Sequence, residues 1–403
     1  MYFIEKFVII SIYVPIWRAN PMSTLYRNGK IYVSEQKCFV TGSVAVCDGV
    51  ICGVYLNSDT PVGKYDETVE LEGKYLIPGL VDVHTHGRAG GDFNTADTDM
   101  LKKMSESYKK SGVTSVMATL ASATCDSLRD SISKIYQTAN CGESAFIGIH
   151  LEGRYLNEKR RGAHNAELLA PLDAEEIASF VKQMKNSGYA HVSAALELDE
   201  DGKFTQAALK EGATLGLAHS DATFAEGQRA FERGAISLTH TYNAMSPFHH
   251  RDGGSVGAGL LTDGVYCELI ADGFHVCPEA VRMAYKLKNA NIVLITDSME
   301  ATGMPDGEYS IAGLPVTVKD GKARTHEGAI AGSTLSLIDG VKNLAAFADI
   351  PFAEALFCAT AAPAKMIGAY DKIGSIDEGK RANMLVLDKE YNVKEVIFQG
   401  RKI

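Results

Sequence analysis

The chain has 403 residues, too many for one small domain but suited to a large barrel with a minor companion. An apolar share of 46% and a charged share of 22% are those of an ordinary globular protein, which excludes a disordered chain. A formal net charge of -10 with no long basic run argues against nucleic acid as a partner. It leaves room for a small anionic substrate, which responds to local charge.

The chain opens with an apolar run, Phe7 to Trp17, preceded by Lys6. It is too short to span a bilayer comfortably, and no clear small-residue cleavage site follows. Met22 is the more natural start, so residues 1–22 read as an N-terminal extension; a signal peptide is the alternative. Otherwise a cytoplasmic protein without membrane attachment is expected. The eight cysteines are irregularly spaced and form no Cys-x-x-Cys pair, which reads as reduced thiols used as small hydrophobes.

Residues 23–78 read as short strands punctuated by Gly and Asp, among them Lys30–Val33, Ser43–Val46 and Gly49–Val54. The C-terminal stretch 374–403 has the same character, with Asn383–Asp388 and Val393–Phe398. The two ends are expected to pair into one small β-sandwich domain. Between them, over 79–373, apolar β-branched runs alternate with helical stretches, as in βα units around a parallel sheet. The runs are Leu76–His86, Thr114–Leu120, Ala145–Gly153, His191–Leu198, Thr214–Ser220, Ala235–Asn243, Tyr266–His275 and Asn291–Met299. Eight such runs predict a (β/α)8 TIM-like barrel. The connection 246–264 reads as a long irregular loop, and a second insert, 305–332, has a β-like core at Leu314–Val318.

Polar residues gather at the ends of these runs: His84 and His86, His150 and Glu152, His219, His240, His275 and Asp297. In a barrel the strand C-termini converge on one face, where active sites are built. Each residue alone is weak evidence, but accidents would not crowd imidazoles and carboxylates at run ends. This donor set suits Zn²⁺ and also Fe²⁺, Mn²⁺ or Co²⁺. A carboxylate such as Glu152 in a core strand is costly without a cation. Near such a metal, Asp297 is placed to take a proton from water.

These segments resemble the amidohydrolase superfamily, through Val81-Asp82-Val83-His84-Thr85-His86-Gly87, and within it the N-acetylglucosamine-6-phosphate deacetylases. The narrower resemblance is carried by His150-Leu151-Glu152-Gly153, Gly162-Ala163-His164, Ala218-His219-Ser220, Thr239-His240-Thr241-Tyr242-Asn243-Ala244-Met245, Asp272-Gly273-Phe274-His275-Val276 and Thr296-Asp297-Ser298-Met299. It extends to Ala331-Gly332-Ser333-Thr334-Leu335 and Gly374-Ser375-Ile376, covering roughly residues 24 to 403.

The resemblance implies that Glu152, His219 and His240 hold a principal metal, with His84 and His86 holding a second one bridged by Glu152. One or two divalent ions are expected, zinc foremost. It implies Asp297 as general base and then acid, and His164 as hydrogen-bond donor to the amide oxygen. Asn243, the backbone of Ala244, and His275 are implied at the sugar phosphate. Arg251 matches a residue that reaches a neighbouring subunit's phosphate, which implies a homodimer. The expected reaction is deacetylation of N-acetylglucosamine 6-phosphate to glucosamine 6-phosphate and acetate, in amino-sugar catabolism.

Two positions depart from the family pattern: Arg154 stands where Pro usually follows His-Leu-Glu-Gly, and Ala218 where Gly often precedes the ligand His. The basic stretch 154–161 reads as a solvated loop edge, with altered anion contacts as the alternative. The nearest rival activity is an aminoacylase-like or dihydroorotase-like amidohydrolase. Several of those use a carboxylated bridging Lys, and no strand-end Lys competes with Glu152 here. A non-catalytic barrel binding protein would be free to lose ligands, and this chain keeps them.

Overall fold

The computed structural model describes residues 23–57 and 59–403, so the apolar leader lies outside the described residues. Eight parallel strands follow one another around a single sheet: Leu80–Thr85, Val113–Leu120, Phe146–Glu152, Tyr189–Ala194, Thr214–Leu217, Ser237–Leu238, Tyr266–Leu269 and Ile292–Leu294. The ring is drawn together where the first strand meets the segment after the eighth. There the Asp297 N–H donates to His84 O (2.9 Å) and the His86 N–H to Ser298 O (2.8 Å). The strands are almost wholly buried because helices cover their outer face, which explains their near-continuous apolar composition.

The first apolar run, read as one strand, is two. Tyr75–Pro78 pairs antiparallel with Met384–Leu387 in the sheet built from the chain ends, and Leu80–Thr85 opens the barrel. Gly79 separates them; a Cβ there would meet Thr114 Oγ1 at 2.0 Å, so only glycine lets the chain turn so close to the second strand. The terminal sheet has eight strands drawn from Ser23–Pro78 and Met384–Lys402, around a core that includes Tyr26, Ile31, Ile51, Leu76, Met384 and Ile397. It is the separate β domain expected from the two β-rich ends.

Three details differ from the reading of the sequence. The connection 246–264 is irregular only in its first half, since Gly254–Leu261 is a helix. Its glycines are packing surfaces: a Cβ on Gly259 would meet Leu238 Cδ2 at 2.6 Å, so the helix lies directly on the sixth strand. The insert 305–332 is a three-stranded antiparallel sheet, Gly307–Ile311, Leu314–Lys319 and Lys322–Thr325. Cys47 and Cys52 form a disulfide across a hairpin of the terminal sheet, while the other six cysteines are free. No described helix is long and apolar enough to cross a membrane.

Buried Tyr32 in the terminal sheet donates its hydroxyl to Ala353 O (2.7 Å), on the helix Phe352–Phe357 that packs on the barrel. Tyr32→Phe leaves that carbonyl unsatisfied and is expected to destabilise by about 1–3 kcal/mol, read as a lowered denaturation midpoint.

Candidate metal centre and substrate site

The site stands on a polar barrel interior. Side chains two apart on a strand share a face, so Asp82 and His84, His150 and Glu152, and His191 and Ser193 all point one way. Their contacts run between strands: His84 Nδ1 meets Glu268 Oε2 of the seventh strand at 3.0 Å, and His150 lies between Thr119 and Ser193 (3.1 and 2.8 Å). Glu268 also faces His191 (3.5 Å), and Asp82 accepts from Thr296 Oγ1 (2.6 Å). Burial raises the Glu268 pKa, but His191 and His84 outweigh it and pull it well down, so it is a carboxylate. Burial lifts Asp82 to about 6.

Above this layer Glu152 ends the third strand, 2% exposed, with four imidazoles around it. Its Oε1 lies 2.9 Å from His240 Nε2 and 3.3 Å from His219 Nε2, and those two nitrogens are 3.0 Å apart. Its Oε2 lies 3.0 Å from His84 Nε2 and 2.9 Å from His86 Nε2. Asp297 Oδ1 completes the second group, 3.3 Å from His86 and 3.6 Å from His84. One carboxylate therefore joins two clusters, one oxygen in each.

The protons on these rings decide what they are for. His219 Nδ1 faces Arg160 O at 2.8 Å, and a carbonyl only accepts, so Nδ1 bears the hydrogen and the Nε2 lone pair faces Glu152. His84 Nδ1 likewise donates to the Glu268 carboxylate, which turns its Nε2 toward Glu152. His164 is the opposite: the Ser122 backbone N–H donates to its Nδ1 (3.4 Å), so Nε2 bears the hydrogen. His164 lies close enough to Glu152 and His219 to be counted with them as a ligand, yet that hydrogen makes it a donor instead.

A cluster of lone pairs without a cation is electrostatically poor. Three donors each about 2.1 Å from one ion stand about 3.4 Å apart, close to the separations among Glu152 Oε1, His219 and His240. The residues thus fit a divalent metal at the first cluster and a second at His84, His86, Asp297 and Glu152 Oε2. Without metal, protons take its place. Burial pulls His84 and His86 down, but Glu152 and Asp297 outweigh it, lifting His84 well above its ordinary value and His86 to about 9. Burial opposes ionisation of Glu152 and Asp297 too, and the histidines still hold both carboxyls below their usual range.

The ligands stand beyond the strands rather than on their last residues. His219, His240 and Asp297 follow the fifth, sixth and eighth strands by two or three residues and adopt left-handed backbone, φ +43°, +28° and +49°. Each such conformation costs on the order of 1–3 kcal/mol and turns the side chain across the barrel mouth. Tyr242 and Ala244 are left-handed as well, φ +81° and +47°.

The other expected site residues are not part of the cluster. Asn243 donates its side-chain amide to His240 O and Thr241 O (3.1 and 3.3 Å), bracing the turn that carries His240. Ala244 and His219 both border Gly162, where an added Cβ would meet them at 3.5 and 3.4 Å. His275 pairs with Asp272 (2.7 Å) in the loop after the seventh strand. Arg251 is exposed in the turn closed by His249 and Asp252, and its guanidinium has no hydrogen bond or ion pair among the described residues. A cavity of about 120 Å³ joins His86, Ser122 and His164 to residues 311–314 of the insert, which roofs it.

The basic stretch is engaged internally. Arg154 pairs with Glu176 (3.1 Å), Arg160 with Asp221 (2.8 Å), and Arg161 donates to His164 O (2.8 Å). Arg154 has φ +61°, which proline cannot adopt, so this loop is built differently from one with Pro at that position. The Ala218 methyl is fully buried without displacing the backbone bond from its N–H to Ala194 O (3.0 Å). Glu268, His191, Asp82 and Ser122 are not singled out by the sequence reading; alternation within the runs, polar beside apolar as in Val81-Asp82-Val83-His84, is the signal for the first three, and Ser122, beyond its run, has none.

Residues 75–403 match the amidohydrolase family. The chain belongs to that family. Among its amidohydrolase relatives are the N-acetylglucosamine-6-phosphate deacetylase of Vibrio furnissii and the N-acetylgalactosamine-6-phosphate deacetylase of Escherichia coli O157:H7. Both are 34% identical; the first match covers 84% of this chain and 86% of the relative, the second 88% and 93%. A mutant N-acetyl-D-glucosamine-6-phosphate deacetylase from Mycobacterium smegmatis, solved in complex with N-acetyl-D-glucosamine-6-phosphate, superposes with a TM-score of 0.86. It is 27% identical, over 95% of this chain and 99% of that one.

Two outcomes follow for this amidohydrolase. Metal uptake must displace the proton of His86, so it is expected to release protons below about pH 9 and to tighten as pH rises toward that value. Calorimetry in buffers of different ionisation enthalpy reads this. Glu268→Ala, which removes the acceptor for His84 Nδ1–H, is expected to weaken metal affinity about 10–100-fold in a chelator competition.

Proposed function

We propose that the chain hydrolyses the acetamide of N-acetylglucosamine 6-phosphate, giving glucosamine 6-phosphate and acetate. The observation that carries this reading is the single carboxylate of Glu152 shared between two clusters of imidazole lone pairs, with an acid–base residue and an N–H donor beside them. A relative named for this reaction at 34% identity, and a bound N-acetyl-D-glucosamine-6-phosphate in a similar structure, support the substrate.

Glu152, His219 and His240 would hold the principal divalent ion, zinc first among the candidates, and His84 and His86 a second. A metal at such a site supplies Lewis acidity and lowers the pKa of water from 15.7 to about 7. Asp297, kept ionised, takes the proton of the attacking water and later gives it to the amine nitrogen as the C–N bond breaks. His164 donates from Nε2 to the carbonyl oxygen as it gains negative charge; such a donor is worth roughly 2.7–4 kcal/mol. Asn243, the Ala244 backbone and His275 are assigned to the sugar phosphate.

Arg251 is assigned to the phosphate of a neighbouring subunit's substrate. Its free guanidinium and the exposed side chain of Phe248 (56%), three residues earlier in the same loop, suit a homodimer interface. A cytoplasmic location and a role in amino-sugar catabolism belong to the same reading.

Acetate release from N-acetylglucosamine 6-phosphate, abolished by chelator, tests the proposal; no release from the metal-loaded protein would contradict it. Asp297→Asn is expected to keep the ion held by Glu152, His219 and His240, by elemental analysis, while turnover falls about 10²–10⁴-fold. Arg251→Ala is expected to raise KM for the phosphorylated sugar about tenfold or more, as lost charge-assisted hydrogen bonds do.

A further inference from the structure

We propose that Ser122 is a positioning residue: it fixes the protonation of His164 so that this imidazole serves as an Nε2–H donor and not as a metal ligand. The inference rests on the deacetylase reading only for the reaction that His164 serves.

Ser122 lies two residues beyond the second barrel strand and has two contacts with the same ring nitrogen. Its backbone N–H donates to His164 Nδ1 at 3.4 Å, and its Oγ lies 2.9 Å from that atom. The Arg154 N–H donates to Ser122 Oγ at 3.0 Å. An N–H only donates, so this contact makes Oγ an acceptor toward Arg154 and leaves its own hydrogen for Nδ1. All three contacts agree on one polarity, running from Arg154 through Ser122 to His164.

A second observation comes from the neighbouring backbone. Gly153 has φ +153°, and a Cβ there would meet Ser122 N at 2.3 Å and Ser122 Cα and Oγ at 2.7 Å each. The glycine after Glu152 therefore lets Ser122 seat against the strand end that carries the bridging carboxylate. The same close approach places Arg154 N–H over the hydroxyl.

The consequence is a sorting of two adjacent rings. His164 and His219 pack edge to face with centroids 4.7 Å apart, both near Glu152. Arg160 O forces the hydrogen of His219 onto Nδ1, and Ser122 forces that of His164 onto Nε2. At His219 a carbonyl plays this part; at His164 the 2.9 Å contact of the Ser122 hydroxyl, oriented by the Arg154 N–H, adds to the longer backbone one. One imidazole is left with a lone pair for a cation, and the other with a hydrogen for an oxygen that gains charge.

The test uses metal-loaded protein with ¹⁵N-labelled histidine, with His164 assigned by its loss in His164→Gln. Wild type is expected to show a bare Nδ1 and a protonated Nε2 at His164 without substrate present. Ser122→Ala loses the 2.9 Å hydroxyl contact and keeps only the longer 3.4 Å backbone one, so it is expected to weaken the hold on the tautomer, mix the two forms and lower kcat about tenfold, the low end for losing a partner that orients an active-site histidine. KM should stay within about twofold and metal content should not change. Ser122→Thr, which keeps the hydroxyl, should restore both the tautomer and kcat.

A protonated Nδ1 in wild type, wild-type kcat in Ser122→Ala, or a defect expressed in metal content instead of kcat would overturn the proposal. Failure of wild type to release acetate while His164 shows the stated tautomer would overturn the deacetylase reading and leave this assignment standing.

Discussion

The structure depends on one buried carboxylate. Glu152 ends the third barrel strand with its two oxygens turned to different pairs of histidines, His219 and His240 on one side, His84 and His86 on the other. A negative charge at 2% exposure is expensive unless it is paired. The four imidazoles come from three different strand ends, so only the closed barrel brings them together. The fold exists, in this sense, to make one acid tolerable at its mouth, and the acid in turn dictates which side chains surround it.

Beneath that carboxylate the barrel is polar where a structural barrel would be packed with branched apolar residues. Asp82, His84, His150, His191, Ser193 and Glu268 are all fully buried, and their contacts span the interior. Their service to the site is orientation. Glu268 takes the hydrogen of His84, Arg160 O that of His219, and Ser122 supplies one to His164. These partners thereby set which nitrogen of each ring is turned toward an ion or a substrate. Left-handed turns at His219, His240 and Asp297 complete the arrangement, at a conformational cost that the rest of the barrel carries.

The barrel and most of this chemistry were legible in the sequence because parallel strands buried on both faces leave long apolar runs, and their ends carry the histidines and acids. What was hidden follows from the same burial. Strand ends cannot be placed inside an unbroken apolar run, so Leu76–His86 read as one strand although Gly79 divides it between two sheets. The run middles were read as apolar, yet Asp82 and Glu268 lie within them and His191 opens another run; a lone polar residue in an apolar run looks like noise until its partner across the barrel is known. Gly254–Leu261 escaped because glycine argues against helix locally, while packing against Leu238 demands small side chains there. His150 looked equivalent to its neighbours at a run end, but Thr119 and Ser193 claim both its nitrogens.

Anomalous diffraction from crystals of the metal-loaded protein, recorded on either side of the absorption edge of the bound element, tests the central claim most directly. A peak is expected within coordination distance of Glu152 Oε1, His219 Nε2 and His240 Nε2, with any second peak between Glu152 Oε2, His84 and His86. A metal bound elsewhere, or one coordinated by His164 with Glu152 left outside its reach, would contradict it.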